Sequence, residues 1–317
     1  MLVLNVEETR HALHWPALID AIETMFQGRC IMPVRHHHEV EVPGESDATL
    51  LMMPAWVPGS YMGVKILSVF PDNSLRSLPA IFGTYLLSSA KTGEMLAVIE
   101  GGELTARRTA ATSALAAKYL SREDASSMLM VGTGRLSLNL IQAHATTRNL
   151  TSFQIWGRNA ASAEKTAEEA RQHGFNASAC DDLEEVARKA DIISCATLSH
   201  EPLIKGDWLK PGAHLDLVGA FKPTMRESDD VAVRRATVYV DTVEGALKEG
   251  GDIVQPLQAG IIQRDDIRAE LSDLVTGRHK GRQSENEITL FKSVGAALED
   301  LAGAILAYES VTANPNS

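Results

Sequence analysis

Two groups of residues in this chain have types and spacing that could do chemistry. The first is Gly132-Thr133-Gly134, entered by the apolar run Met128–Val131 and left by a helical pattern from Leu138 to Thr147. A strand, a Gly-x-Gly turn and a helix in that order place a pyrophosphate on a helix N-terminus, where amides and the helix dipole favour negative charge. Gly132 permits the tight turn, Gly134 lets the backbone approach the phosphates, and the third small position is Ser137 rather than glycine. The next strand ends at Trp156-Gly157-Arg158-Asn159. The acid that usually meets a ribose 2′-hydroxyl is missing there, and Arg158 could fork onto a 2′-phosphate, so NADP(H) is expected over NAD(H). Cys195-Ala196-Thr197 closes a later strand, and Thr197 is a further candidate contact.

The second group is cationic: Arg35, Lys65 and Arg108, all ahead of the glycine turn. Lys65 follows Tyr61-Met-Gly63-Val64 on an apolar strand, where it either snorkels from a strand end or ligates an anion. Arg107 and Arg108 lie near the start of an Ala-rich helix, against the helix dipole. That mild cost points to one of them being held for a ligand. His36-His37-His38 invites a metal reading, but neighbours on a strand point to opposite faces, and no metal site is expected. Asp229 and Asp230 read as a helix cap.

Elements must position these groups. Residues 5–28 read as helical from the spacing of Ala12, Leu13, Leu18, Ile19, Ile22, Met25 and Phe26. His38–Val42, Thr49–Met53, Tyr61–Phe70, Ile81–Ser88 and Glu94–Ile99 read as an antiparallel meander, followed by a helix over Thr105–Leu120. From Ser127, strands alternate with helices: Met128–Val131, Ser152–Trp156, Asn176–Ala179, Asp191–Ala196, His214–Val218 and Thr237–Asp241. Such alternation predicts a doubly wound parallel sheet. Ile288–Ser310 reads as one long amphipathic helix, and 312–317 as a frayed tail. The expected class is therefore α/β: a Rossmann-type domain over 119–289, and an α+β substrate-binding and dimerisation domain, with a mainly antiparallel sheet, from 1–118 and 290–317.

Composition bounds the possibilities. With 317 residues, 44% hydrophobic and 22% charged, the chain suits two globular domains. A net charge of −11 excludes a nucleic-acid footprint and requires a local basic pocket for any anionic ligand. No apolar run is long enough for a membrane span, and the first residues lack the basic start of a signal peptide. The three cysteines, Cys30, Cys180 and Cys195, form neither a metal motif nor a disulfide framework. The cytoplasm is the expected compartment.

Several of these residues together resemble the ornithine cyclodeaminase/mu-crystallin family. They are Lys65, Arg107-Arg-Thr-Ala-Ala-Thr-Ser113-Ala, Gly132-Thr-Gly134, Pro211-Gly212-Ala-His214, and Ile288-Thr-Leu-Phe-Lys-Ser-Val-Gly295 with Glu299-Asp300. The resemblance covers nearly the whole chain in order, and Phe291-Lys-Ser-Val-Gly295 is its most specific piece. It implies a homodimer closed through the sheets of the first domains, a nicotinamide cofactor on the second domain, and a small amino-acid-derived substrate between the domains. By the same resemblance, Arg35, Lys65 and Arg108 hold the substrate carboxylate and its polar neighbours, with Lys65 and Arg108 catalytic. Thr84 and Arg108 lie near the cofactor. Gly132, Thr133, Gly134, Arg135 and Leu136 meet the pyrophosphate, and Arg158, Asn159 and Thr197 the adenosine side. Val218, Gly219, Phe221, Val294 and Gly295 flank the nicotinamide.

One departure bears on activity. Cyclodeaminases of this family carry an Asp shortly after the Val-Gly pair of the fifth strand, and here Phe221 stands in its place. Leu136 likewise replaces a usual Gln. Cyclodeamination needs a base of tuned pKa, which phenylalanine cannot be. Reduction of a cyclic ketimine needs only a held carboxylate, an aligned C2 and exclusion of water. The expected activity is therefore NAD(P)H-dependent reduction of Δ1-pyrroline-2-carboxylate or Δ1-piperideine-2-carboxylate to proline or pipecolate. The alternatives are an ornithine cyclodeaminase with a substitute base such as Asp216, an open-chain amino-acid dehydrogenase or imine reductase, and a non-catalytic nucleotide-retaining protein.

Overall fold

A computed structural model describes residues 1–313, which divide into two compact units: 1–108 with 297–313, and 109–296. In chain order the first unit contains β1 (Leu2–Leu4), α1 (Val6–Ala12), α2 (Trp15–Gln27), β2 (His36–Val40), β3 (Ala48–Trp56), β4 (Tyr61–Val69), β5 (Ile81–Ser89), β6 (Met95–Glu100) and the start of α3 (Gly101–Leu120). The second contains β7 (Ser127–Val131), α4 (Ser137–Thr147), β8 (Ser152–Trp156), α5 (Ala160–Gln172), β9 (Ala177–Ala179), α6 (Leu183–Ala187), β10 (Ile192–Cys195), β11 (His214–Leu217), α7 (Asp230–Arg235) and β12 (Thr237–Val240). It continues through α8 (Val243–Glu249), α9 (Gly251–Gln258), β13 (Ile267–Glu270), α10 (Leu271–Val275) and β14 (Thr289–Lys292). The chain then returns to the first unit as α11 (Ala297–Ala313).

The first unit is an α+β layer. Its sheet runs β1-β6-β5-β4-β3-β2, antiparallel except for the parallel β1–β6 edge. Alternation along the strands buries one row in register across the sheet: Met53, Lys65, Tyr85, Ile99 and Leu4. Helices α2 and α11 pack together, and α11 covers β3 to β6. The meander matches the sequence reading, but residues 5–28 form two helices. Asn5 and Glu8 make a capping box on α1, the helix stops at Ala12, and Pro16 sits in the first turn of α2, a position where its missing N–H costs nothing.

The second unit is an eight-stranded, all-parallel sheet in the order β13-β12-β14-β11-β10-β7-β8-β9. One face of the strands is apolar, from Leu129, Val131, Ile193, Leu215, Leu217, Val238, Val240 and Leu290, and the other buries Asp216 and His214 among its apolar residues. All six strands expected here are present. The stretch 288–310 is not a single helix: Thr289–Lys292 is a buried strand between β11 and β12, and α11 begins only at Ala297. Residues 109–118 and 290–296 therefore fall in the second unit rather than the first. Thr312 and Ala313 are helical, and the rest of the expected tail lies outside the described residues. His36–His38 are exposed on the edge strand β2. Among the described residues there is no cluster of His, Cys, Asp or Glu fit to hold a metal, and no helix long and apolar enough to cross a membrane.

Candidate active site

Lys65 lies in the middle of β4, so it does not snorkel from a strand end; both it and Arg108 are buried. Two acids of α11 meet them. Asp300 Oδ2 is 2.7 Å from Lys65 Nζ, Asp300 Oδ1 accepts from Arg108 Nε at 2.9 Å, and Glu299 Oε2 accepts from Arg108 Nη1 at 2.5 Å. Gly303, one turn beyond Asp300, lets α3 approach closely: a Cβ there would lie 2.7 Å from Leu104 Cδ1. Burial, then the Arg108 charge, lowers Lys65 to about 8 against the pull of Asp300. Burial also works against Arg108, but Asp300 and Glu299 outweigh it and raise its pKa. Two cations and two acids thus form a locally neutral cluster rather than a net basic pocket, and the acids fix where the cationic heads point. The Tyr85 hydroxyl, on the residue in register with Lys65, is buried and has no hydrogen-bond partner among the described residues.

The other cations differ. The Arg107 guanidinium stacks on Trp15, 4.0 Å from the ring centroid, and its Nε donates to the Leu13 carbonyl at 2.9 Å, so Arg107 serves packing. Arg35 is half-buried just before β2. Thr84 is exposed, and register with Ile66 puts it on the sheet face opposite Lys65.

In the second unit the chain turns from β8 and β9 on one side of β7 to β10 on the other. That reversal opens a crevice at the carboxyl ends of β7 and β10. Gly132 sits there at φ 121°, and a Cβ on it would come within 2.7 Å of the Ala196 carbonyl oxygen, so only glycine fits. Ser137 Oγ donates back to the Gly132 carbonyl at 2.9 Å, which gives the non-glycine third position a bracing role. A Cβ on exposed Gly134 would meet nothing within 4 Å. Thr133 is half-buried and Arg135 exposed, and Leu136 at the N-cap of α4 supplies no side-chain cap to its first amides. An open turn beside an uncapped helix start suits a pyrophosphate.

Arg158 is exposed just after β8, and Asn159 caps α5 by accepting from the Ser162 amide at 3.0 Å. Thr197 donates its amide and hydroxyl to Glu227 Oε1, at 2.6 and 2.8 Å. Val218 and Gly219 are buried, whereas Phe221 is 39% exposed. The amides of Val294 and Gly295 each donate to Asp241 Oδ2 at 2.7 Å. Asp241 and Glu227 are brace residues that sequence reasoning did not single out, because each acts on backbone far away along the chain. Asp216 is fully buried and accepts from Ser113 and Ser194 at 2.9 and 2.6 Å, with His144 Nε2 at 3.2 Å. Burial would raise its pKa, but His144 and these bonds hold it below the ordinary value. It is a structural acceptor.

A model of the ornithine cyclodeaminase/mu-crystallin family matches residues 1–314. A Delta(1)-pyrroline-2-carboxylate reductase of Paracoccus denitrificans is 35% identical over 283 residues, spanning 89% of this chain and 89% of that protein. The structure of the Thermococcus litoralis Delta(1)-pyrroline-2-carboxylate reductase, in complex with NADH and L-proline, matches at TM-score 0.92 and 34% identity, covering 99% of this chain and 98% of that one. An archaeal alanine dehydrogenase dimer with bound NAD matches at TM-score 0.90 and 29% identity, covering 99% and 97%. The fold is thus shared over almost the whole chain, and this chain is a member of the ornithine cyclodeaminase/mu-crystallin family.

Proposed function

We propose that this chain reduces a cyclic ketimine carboxylate, Δ1-pyrroline-2-carboxylate or Δ1-piperideine-2-carboxylate, to proline or pipecolate with NADH or NADPH. The observation that carries the reading is the buried pair Lys65 and Arg108, each oriented by acids of α11. A fold seeking only stability gains little from such a cluster, since apolar replacements are often at least as stable. Relatives named for the first of these imines support the choice of substrate. When bound, the nicotinamide supplies hydride to C2 of the imine.

The chain's own residues do the rest. Arg108, with Lys65 beside it, holds the substrate carboxylate through charge-assisted hydrogen bonds. Alignment of this kind lowers a barrier by roughly 7–11 kcal/mol in favourable cases. Lys65 Nζ, with its pKa at about 8, holds a proton for the imine nitrogen. Arg35 meets the polar edge of the substrate. Gly132 to Leu136 take the pyrophosphate, Arg158 a 2′-phosphate, and Asn159 and Thr197 the adenosine side. Cyclodeamination is disfavoured because Phe221 cannot act as a base and Asp216 is fully buried in its own hydrogen bonds.

We place the protein in the cytoplasm, where the free thiols Cys30, Cys180 and Cys195 suit a reducing compartment. A homodimer is supported by the apolar outer face of the first unit's sheet.

The test is a steady-state assay of both imines with both reduced cofactors, run beside an ornithine assay for ammonia. Imine reduction with a preference for NADPH and no ammonia is expected. Arg108→Lys keeps the charge but loses the fork, and should cost kcat/KM about a hundredfold. Full activity in that variant, or ammonia from ornithine, rejects the assignment.

A further inference from the structure

Lys292, the cation of the Phe291-Lys-Ser-Val-Gly295 motif, has no part in the chemistry above. It is the last residue of β14, fully buried, and in register with Leu217 of β11. Its ammonium donates to the Leu217 carbonyl at 3.2 Å and to the Gly219 carbonyl, and lies 3.5 Å from Asp252 Oδ2. Asp252 Oδ1 accepts from the amides of Glu227 and Ser228, both at 2.9 Å, and Glu227 binds the amide and hydroxyl of Thr197. One cation and two acids, all fully buried, are therefore wired to the loop after β10 and the loop after β11.

These loops also hold each other. The Gly219 amide donates to the Cys195 carbonyl at 3.2 Å and the Ala220 amide to the Thr197 carbonyl at 3.4 Å. A Cβ at Gly219 would fall 2.1 Å from the Thr197 carbonyl oxygen, and Ala220 is kept at φ 50°, uncommon for a residue other than glycine. The sheet order decides what lies above them. A pyrophosphate at the end of β7, with its adenosine toward Arg158 after β8, sends the other half of a dinucleotide across β10 and β11.

We propose that Lys292 is a positioning residue: it fixes the Val218–Phe221 loop under the nicotinamide end of a bound dinucleotide. The proposal rests on the reading that a nicotinamide dinucleotide binds, and not on which imine is reduced.

Lys292→Met keeps the side-chain length and removes the charge and its donors. NADH and ADP-ribose, which carries no nicotinamide, are titrated calorimetrically against the wild type and this variant. NADH binding should weaken by about tenfold or more, with ADP-ribose binding unchanged. Equal losses for both ligands, or none for NADH, overturn the proposal. Should the variant not fold, hydrogen exchange of the ligand-free wild type decides. The Gly219 and Ala220 amides should exchange as slowly as those of β10, and exchange at exposed-loop rates overturns the clamp. A wild type that binds neither nucleotide overturns this proposal together with the cofactor reading. Tight NADH binding without ketimine turnover rejects only the substrate, and the titrations still decide on Lys292.

Discussion

Lys65 has two pH dependences of opposite sign. Its ammonium, ordinarily at 10.5, is brought to about 8 by burial and by Arg108, with Asp300 opposing. Below about pH 8 Lys65 is charged in both the folded and the unfolded chain, and the folded state bears the full cost of burying that charge. Between about 8 and 10.5 the unfolded chain binds this proton and the folded one does not, so stability rises with pH. Under the proposed role, in which the ammonium form holds the carboxylate and the proton, activity runs the other way: kcat/KM should fall as pH passes about 8. Lys65→Met should remove the stability gain and, in its residual activity, the alkaline fall. Denaturant midpoints at about pH 7 and about pH 10, with a pH–rate profile, provide the check. A wild type that gains no more stability over that span than the variant refutes the assignment.

At the scale of elements, what could be read in advance depended on whether the signal was local. The glycine turn was legible because a short apolar run, two glycines and a helical period are neighbours in sequence. β14 was not, since Ile288–Ser310 reads as one amphipathic run, and periodicity does not separate a short buried strand from a buried helix segment. Only its insertion between β11 and β12 makes it a strand. Lys65 and Arg108 could be picked out by type and place. Their acid partners could not, because Asp300 meets Arg108 from 192 residues away, once α11 has packed on the sheet. The same holds for Asp241 under Val294 and Glu227 under Thr197. Within the glycine turn the two glycines predict a contrast. Gly132→Ala forces a side chain into φ 121° and against a backbone carbonyl, and should cost about 1–3 kcal/mol of stability. Gly134→Ala adds a methyl to open space, so stability should hold while dinucleotide affinity falls. Urea unfolding beside calorimetric titration separates the two, and wild-type affinity in Gly134→Ala would place the pyrophosphate elsewhere.

The largest unanswered demand of the molecule is on the outer face of the first unit's sheet. Alternation that turns Lys65 and Tyr85 inward turns Leu50, Met52, Val64, Ile66, Phe82 and Leu86 outward, with Ser68 and Thr84 among them. Phe82 is 49% exposed, and its companions are half-buried at most. An antiparallel sheet that faces water on one side normally alternates apolar with polar residues, and a face this rich in apolar residues suits an interaction surface. In a chain of net charge −11, two copies repel at long range, so their association must come from apolar burial at contact, and a second copy of the same face is complementary in character to the first. The expectation is a homodimer by sedimentation. Phe82→Asp with Ile66→Asp, placed outward, should give a folded monomer, because the buried row through Lys65 is untouched. That monomer should keep its dinucleotide affinity, since Gly132 and Gly134 lie in the other unit. Sedimentation of the wild type as a single chain, or of the double variant as an unchanged dimer, rules out this face as the interface.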